Sequence, residues 1–114
     1  MNGANSIEEV CRKLHESLTS DIVSIGEARQ IAQNFAVGTT SFTDFLRSVL
    51  VCLLNSGVEI GYAVNPTGSY VEFVAWRGTP EMKVSRLLAE MARNEKDFDF
   101  TVWLALAPNV DRYE

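Results

Sequence analysis

The chain has very little with which to staple itself or hold a metal. Among its 114 residues there are two cysteines, Cys11 and Cys52, and one histidine, His15. A disulfide framework uses more cysteines than that, and a structural zinc takes about four thiolate or imidazole ligands. Each cysteine lies in an apolar run where a small hydrophobe would serve equally well, a usage that fits a reducing cytoplasm. The longest unbroken apolar run is Val49 to Leu54, far below the roughly 20 residues that span a bilayer. The segment Met1-Asn2-Gly3-Ala4-Asn5-Ser6 has no basic stretch ahead of an apolar one, as a secretory signal would. The expectation is a cytoplasmic protein with no membrane partner.

Positive charge is also scarce: ten basic residues stand against fifteen acidic ones, for a net charge of −5. Both sides of Gly57 are acidic, with six acids and four bases before it and nine acids and six bases after it. Such a chain repels phosphate backbones, so nucleic acid is not an expected partner; the acidity itself reads first as an ordinary solvated surface and second as steering toward a basic partner. Phosphate-cradling loops are missing too. Gly57, Gly61, Gly68 and Gly78 are spaced as a helix stop, strand relief and turns, and none leads from a strand into a helix with a following Lys-Ser or Lys-Thr. No cofactor is expected.

What is present is the composition of an ordinary globule, 46% hydrophobic and 22% charged, in a chain of single-domain length. The expected domain is 1–114, with flexible ends at 1–5 and 109–114. Ser6-Ile7-Glu8-Glu9 matches a capping box and predicts a first helix from there to about Ser20, burying Ile7, Val10, Cys11, Leu14 and Leu18. Ser24 opens a second helix that runs to Gly38, and Ser41 a third that ends at Asn55-Ser56-Gly57. Apolar residues cover most of the third helix's circumference, so it is placed at the centre of the core.

After Gly57 the apolar period changes from 3.6 to 2. Val58, Ile60, Tyr62 and Val64 alternate with smaller or polar residues, and after Asn65-Pro66-Thr67-Gly68 an aromatic, β-branched run reaches Trp76, predicting a hairpin. Pairing Asn65 with Ser69 sets Tyr62 opposite Glu72 and puts Tyr70, Glu72 and Trp76 on the face of Val58 to Val64. Pairing Asn65 with Gly68 would put them on the other face. Turn chemistry favours the first register, and cleaner separation of polar from apolar residues the second. Thr79-Pro80-Glu81 starts a fourth helix, and the run from Phe98 to Leu106 makes a last strand, expected beside the first hairpin strand and antiparallel to it. The fold class is α+β, in the order α-α-α-β-β-α-β, with a three-stranded, mainly antiparallel sheet.

Chemistry-bearing residues are sparse. His15 follows Cys11 by four residues, on one helix face, but no nucleophile with an orienting group accompanies it, so a solvated or half-buried histidine is expected and no metal. Asp97 and Asp99, like Glu59 and Glu72, read as polar positions of half-exposed strands, so no catalytic residue is assigned. Tyr70, Glu72 and Trp76 share a parity on one strand, and Asp99, Thr101 and Trp103 on another. If open, these faces form a tyrosine, tryptophan and carboxylate surface of the kind where binding energy concentrates; if covered by helices, they are core. The candidate partner-binding residues are Glu59, Tyr70, Glu72, Trp76, Asp97, Asp99 and Trp103.

The run Phe45-Leu46-Arg47-Ser48-Val49-Leu50-Val51-Cys52-Leu53-Leu54-Asn55-Ser56-Gly57-Val58-Glu59-Ile60 resembles a helix–glycine–strand passage. It is that of small bacterial proteins found as immunity partners in polymorphic or contact-dependent toxin systems. Trp76-Arg77-Gly78-Thr79-Pro80-Glu81-Met82-Lys83-Val84 and Asp97-Phe98-Asp99-Phe100-Thr101-Val102-Trp103-Leu104 are similar to the rest, so the resemblance covers about residues 42 to 106. It implies a single-domain acidic protein that binds and blocks a toxin domain, often a basic nuclease. The leading expectation is therefore a non-enzymatic immunity protein with a basic toxin or client as partner. The alternatives are a secretion-type chaperone or adaptor acting as a homodimer, and a small-ligand-binding domain.

Overall fold

In a computed structural model of the chain, residues 3–35, 41–64, 71–93 and 101–114 are described. Among the described residues, four helices and a five-stranded mixed sheet form one α+β unit. The elements are α1 (Gly3–Leu18), β1 (Val23–Ser24), α2 (Ile25–Phe35), α3 (Phe42–Asn55), β2 (Val58–Val64), β3 (Glu72–Ala75), α4 (Pro80–Arg93), β4 (Val102–Leu106), a 3-10 turn (Ala107–Asn109) and β5 (Arg112–Tyr113). The sheet order is β1-β4-β2-β3-β5.

Three of the four expected helix starts sit where the sequence puts them. Ser24 Oγ accepts from the Glu27 amide at 3.2 Å, Ser41 Oγ from Asp44 at 3.1 Å, and Thr79 Oγ1 from Met82 at 3.2 Å, each satisfying an amide the first turn leaves open. The first start differs. α1 begins at Gly3, so Ser6 lies inside it and is buried; the extra turn places carbonyls four residues behind the amides that a capping box would have served. α3 is the central helix, burying Phe45, Leu46, Val49, Leu50 and Leu53 in the main core with α1, α2, α4 and the sheet. At roughly 1.5–3 kcal/mol for each large side chain fully buried, this helix supplies a major share of the favourable term.

The sheet has five strands where three were expected, because β1 and β5 are two residues each and too short to show any period in sequence. β4 pairs antiparallel with β2, the hairpin's first strand, as expected. The hairpin register is neither of the two considered. Tyr62 pairs with Val74 and Val64 with Glu72, two residues away from the Asn65–Ser69 alignment, a long-range pairing that local turn chemistry does not determine. A shift of two preserves side-chain facing, so Glu72 and Trp76 lie on the face of Val58, Ile60 and Tyr62, toward the helices. The turn itself, with Pro66 and Gly68, is outside the described residues.

The tail expected over 109–114 contains β5. From Leu106 the chain crosses the sheet on the side away from the helices and returns beside β3, which β5 joins in parallel. Asp111 N donates to Phe73 O at 3.1 Å and Glu114 N to Ala75 O at 3.0 Å. The β3–β4 connection passes through α4 on the helical side, and the β4–β5 connection runs the opposite way on the other side. The two crossovers therefore have the same hand, as consistent strand twist requires.

Candidate functional site

The sheet separates the predicted surface into two. Glu72 and Trp76 belong to the helical side. Trp103 pairs with Gly61, and Glu59 with Ala105, so Trp103 and Glu59 belong to the opposite side. Tyr70, Asp97 and Asp99 lie outside the described residues. The aromatic and acidic residues that parity allowed to form one patch are thus not brought together as one.

Trp76 is a core residue, 0% exposed. The Arg86 guanidinium stacks 3.9 Å from its ring centroid and Tyr62 meets it edge-on at 5.6 Å. Arg86 also donates to Glu114 Oε1 at 2.6 Å and to the Tyr62 hydroxyl at 3.2 Å, so one guanidinium ties α4, β2, β3 and the C-terminal segment together. The indole Nε1 of Trp76 is buried and has no hydrogen-bond partner among the described residues.

Glu72 faces Arg112 at 3.2 Å. Glu59, from the middle of the sheet, meets Lys83 at 2.7 Å and accepts from the Tyr113 hydroxyl at 3.2 Å. The Glu59 charge, followed by burial, pushes the Tyr113 phenol above its ordinary value and keeps it protonated as a donor. The side chains of Lys83 and Glu59 are only 10% and 18% exposed. Removing one member leaves the other charge in a poorly hydrated place, at about 3–5 kcal/mol when burial is complete. Glu59→Ala is therefore expected to lower unfolding free energy by about 3 kcal/mol, whereas Glu59→Leu combined with Lys83→Met recovers most of it. Urea denaturation of the two variants checks this; equal losses would show that the pair is not the cause.

The side of the sheet away from the helices is built differently. Phe73, Ala75 and Ala105 form a small separate core against which Ile22, Trp103 and Val110 pack, with no helical residue among the described ones joining it. Small residues at Gly61, Ala63, Ala75 and Ala105 keep this face low. Val110, from the crossing segment, covers part of it. Beside that segment an open cleft of about 200 Å³ is lined by Asp21, Ile22, Val71, Phe73, Ala105 and Asn109, among others. Asp21 of that lining is exposed, one oxygen accepting from the Ile22 amide at 2.7 Å. Trp103, two residues before Ala105 on β4, is half-buried. Apolar side chains such as Ile22 and Phe73 beside the carboxylate of Asp21 suit a long cationic side chain, whose stem is apolar and whose head is charged.

Among the described residues no group of three or more His, Cys, Asp and Glu side chains is arranged to hold a metal ion. No described helix is long and apolar enough to cross a membrane. No protein family, no curated protein and no solved structure matches this chain.

Two arrangements escape the sequence. The cleft depends on Asp21 and Ile22, a loop between a helix and a two-residue strand, which the β4 register alone brings to Ala105. Cys11 and Cys52, read separately as small hydrophobes, come together with their sulfurs 2.9 Å apart. Their positions on the inward faces of α1 and α3 are visible in the periodicity, but which turns of the two helices touch is not.

Proposed function

We propose that the chain is a non-enzymatic protein-binding module that docks a basic partner on the sheet face opposite its helices. Its most concrete form is an immunity protein that neutralises a basic toxin domain, the class it resembles over about residues 42 to 106. The observation that carries the reading is the cleft of about 200 Å³ with Asp21 among its lining residues, near half-buried Trp103 on the sheet face opposite the main helical core. Interfaces concentrate their energy where an aromatic or arginine anchor meets a pocket. The net charge of −5 adds steering toward a basic surface. Glu59 and Glu72, paired with Lys83 and Arg112, contribute to scaffold and less to the docking charge.

Two variants test the reading on a partner captured from the native host. Trp103→Ala is expected to weaken the complex by about 30-fold or more, as a hot-spot truncation does. Asp21→Lys is expected to slow association, most strongly at low salt. Unchanged affinity and rate in both variants, with unfolding curves like that of the parent, would remove this face from the interface.

A further inference from the structure

The α1–α3 contact holds a second arrangement that the docking face does not use. The Cys11 and Cys52 thiols share a hydrogen bond at 2.9 Å between sulfurs, and both are free. They lie at an open groove of about 380 Å³ whose walls include Glu8, Arg12, His15, Glu16 and Ser56. Cys52 is half-buried and Cys11 buried. Arg12 is held by Glu9 at 2.7 Å and Glu16 at 2.9 Å, which keeps its charge along the groove's edge.

We propose that Cys11 and Cys52 form a thiol-exchange site that takes a low-molecular-weight disulfide and closes into an internal disulfide joining α1 to α3. A bond between the two sulfurs needs about 0.9 Å of further approach, a side-chain adjustment within one packed contact. The order of reaction follows from access. Cys52, reachable from the groove, attacks as thiolate on one sulfur of the small disulfide, forming a mixed disulfide and releasing the first thiolate. Cys11 then attacks the Cys52 sulfur as thiolate and releases the second. The two thiol protons go to the two leaving thiolates, and the small disulfide accepts two electrons. One small disulfide and two protein thiols thus become one protein disulfide and two small thiols.

Cys11 is unsuited to attack first: burial pushes its thiol up to about 12, with the hydrogen bond to Cys52 and repulsion between the two sulfur charges adding to it. Both of the added causes come from Cys52 itself. They vanish once Cys52 is in a mixed disulfide; burial of Cys11 remains, and it is the Cys52 sulfur held 2.9 Å away that makes Cys11 the resolving thiol.

The test treats the folded, reduced protein with oxidised glutathione and follows intact mass and peptide maps. The expected product is lighter by about 2 Da, with Cys11 and Cys52 linked. Its thermal midpoint should rise by about 5–15 °C, because the closed loop constrains the unfolded chain. Cys11→Ala, an apolar replacement, should stop at a glutathione adduct on Cys52, and Cys52→Ala should leave Cys11 unmodified over the same period. A wild-type protein that keeps both thiols, or ends as a stable glutathione adduct, overturns the proposal. So does a linked product that forms only in denaturant, since the exchange then owes nothing to the folded geometry. The wild-type mass and peptide map decide the matter even if a variant fails to fold.

Discussion

Trp76→Ala is expected to lower the unfolding free energy by about 3–5 kcal/mol, the range for truncating a fully buried large aromatic side chain. Domains of this size have about 5–15 kcal/mol in total, so the variant should be close to unfolding at room temperature. The loss has two sources. The ring leaves a void between β3 and α4, and Arg86 loses the face on which it stacks at 3.9 Å, while keeping its bonds to Tyr62 and Glu114. Trp76→Phe separates them. It retains an aromatic face and removes the buried indole N–H that has no partner among the described residues, so it should lose less than half as much. Guanidinium denaturation of both variants measures the difference. A loss below about 1 kcal/mol for Trp76→Ala, the scale of an ordinary surface change, would contradict the core position.

The second large effect is expected at Gly61. A Cβ there would stand 2.0 Å from the Val74 carbonyl oxygen and 2.8 Å from the Ala75 Cα. Both are backbone atoms of the paired strand, so relief requires β2 and β3 to part. Gly61→Ala should cost about 3 kcal/mol or more, at the upper end of overpacking penalties, and Gly61→Val should prevent folding. Gly57 is the control. It has φ +90 and open space around its Cα, so Gly57→Ala should cost only the left-handed penalty of about 1–2 kcal/mol. Thermal or urea unfolding of the two alanine variants ranks them, and a Gly57 variant less stable than the Gly61 variant would refute the close-approach explanation.

The two glycines also show how much of the molecule its sequence reveals. Gly57 is legible because a helix-period run ends just before it and a strand-period run begins just after it. Gly61 reads as strand relief, but the reason for it, backbone contact across the β2–β3 pair, exists only once the register is known. The same boundary runs through the whole fold. Ser24, Ser41 and Thr79 announce their helices because capping is local chemistry. The stripes of α1, α3 and α4 announce their buried faces for the same reason. The two-residue strands β1 and β5 have no period to read, and their pairing partners are more than thirty residues away in sequence.

The candidate surface fared unevenly, for a related reason. Parity along one strand is a local property, and it assigned Glu72 and Trp76 correctly to a common side. Whether Trp103 shares that side depends on the β2–β4 register, a long-range fact, and the structure puts it on the other. Glu59 and Glu72 read as open carboxylates because their cations, Lys83 and Arg112, come from a helix and a terminal strand that only the tertiary fold brings near. The cleft at Asp21 and the thiol pair are both contacts between segments distant in the chain, which no motif encodes.

The proposed function is tested most directly by the composition of the complex the protein forms in its native host, measured by native mass spectrometry after gentle capture. The expected result is a complex with a basic protein in one-to-one stoichiometry, dispersing as salt is raised and weakened by about 30-fold or more in Trp103→Ala. A protein that emerges alone, as a homodimer, or with a partner retained equally by the Trp103 variant would contradict it.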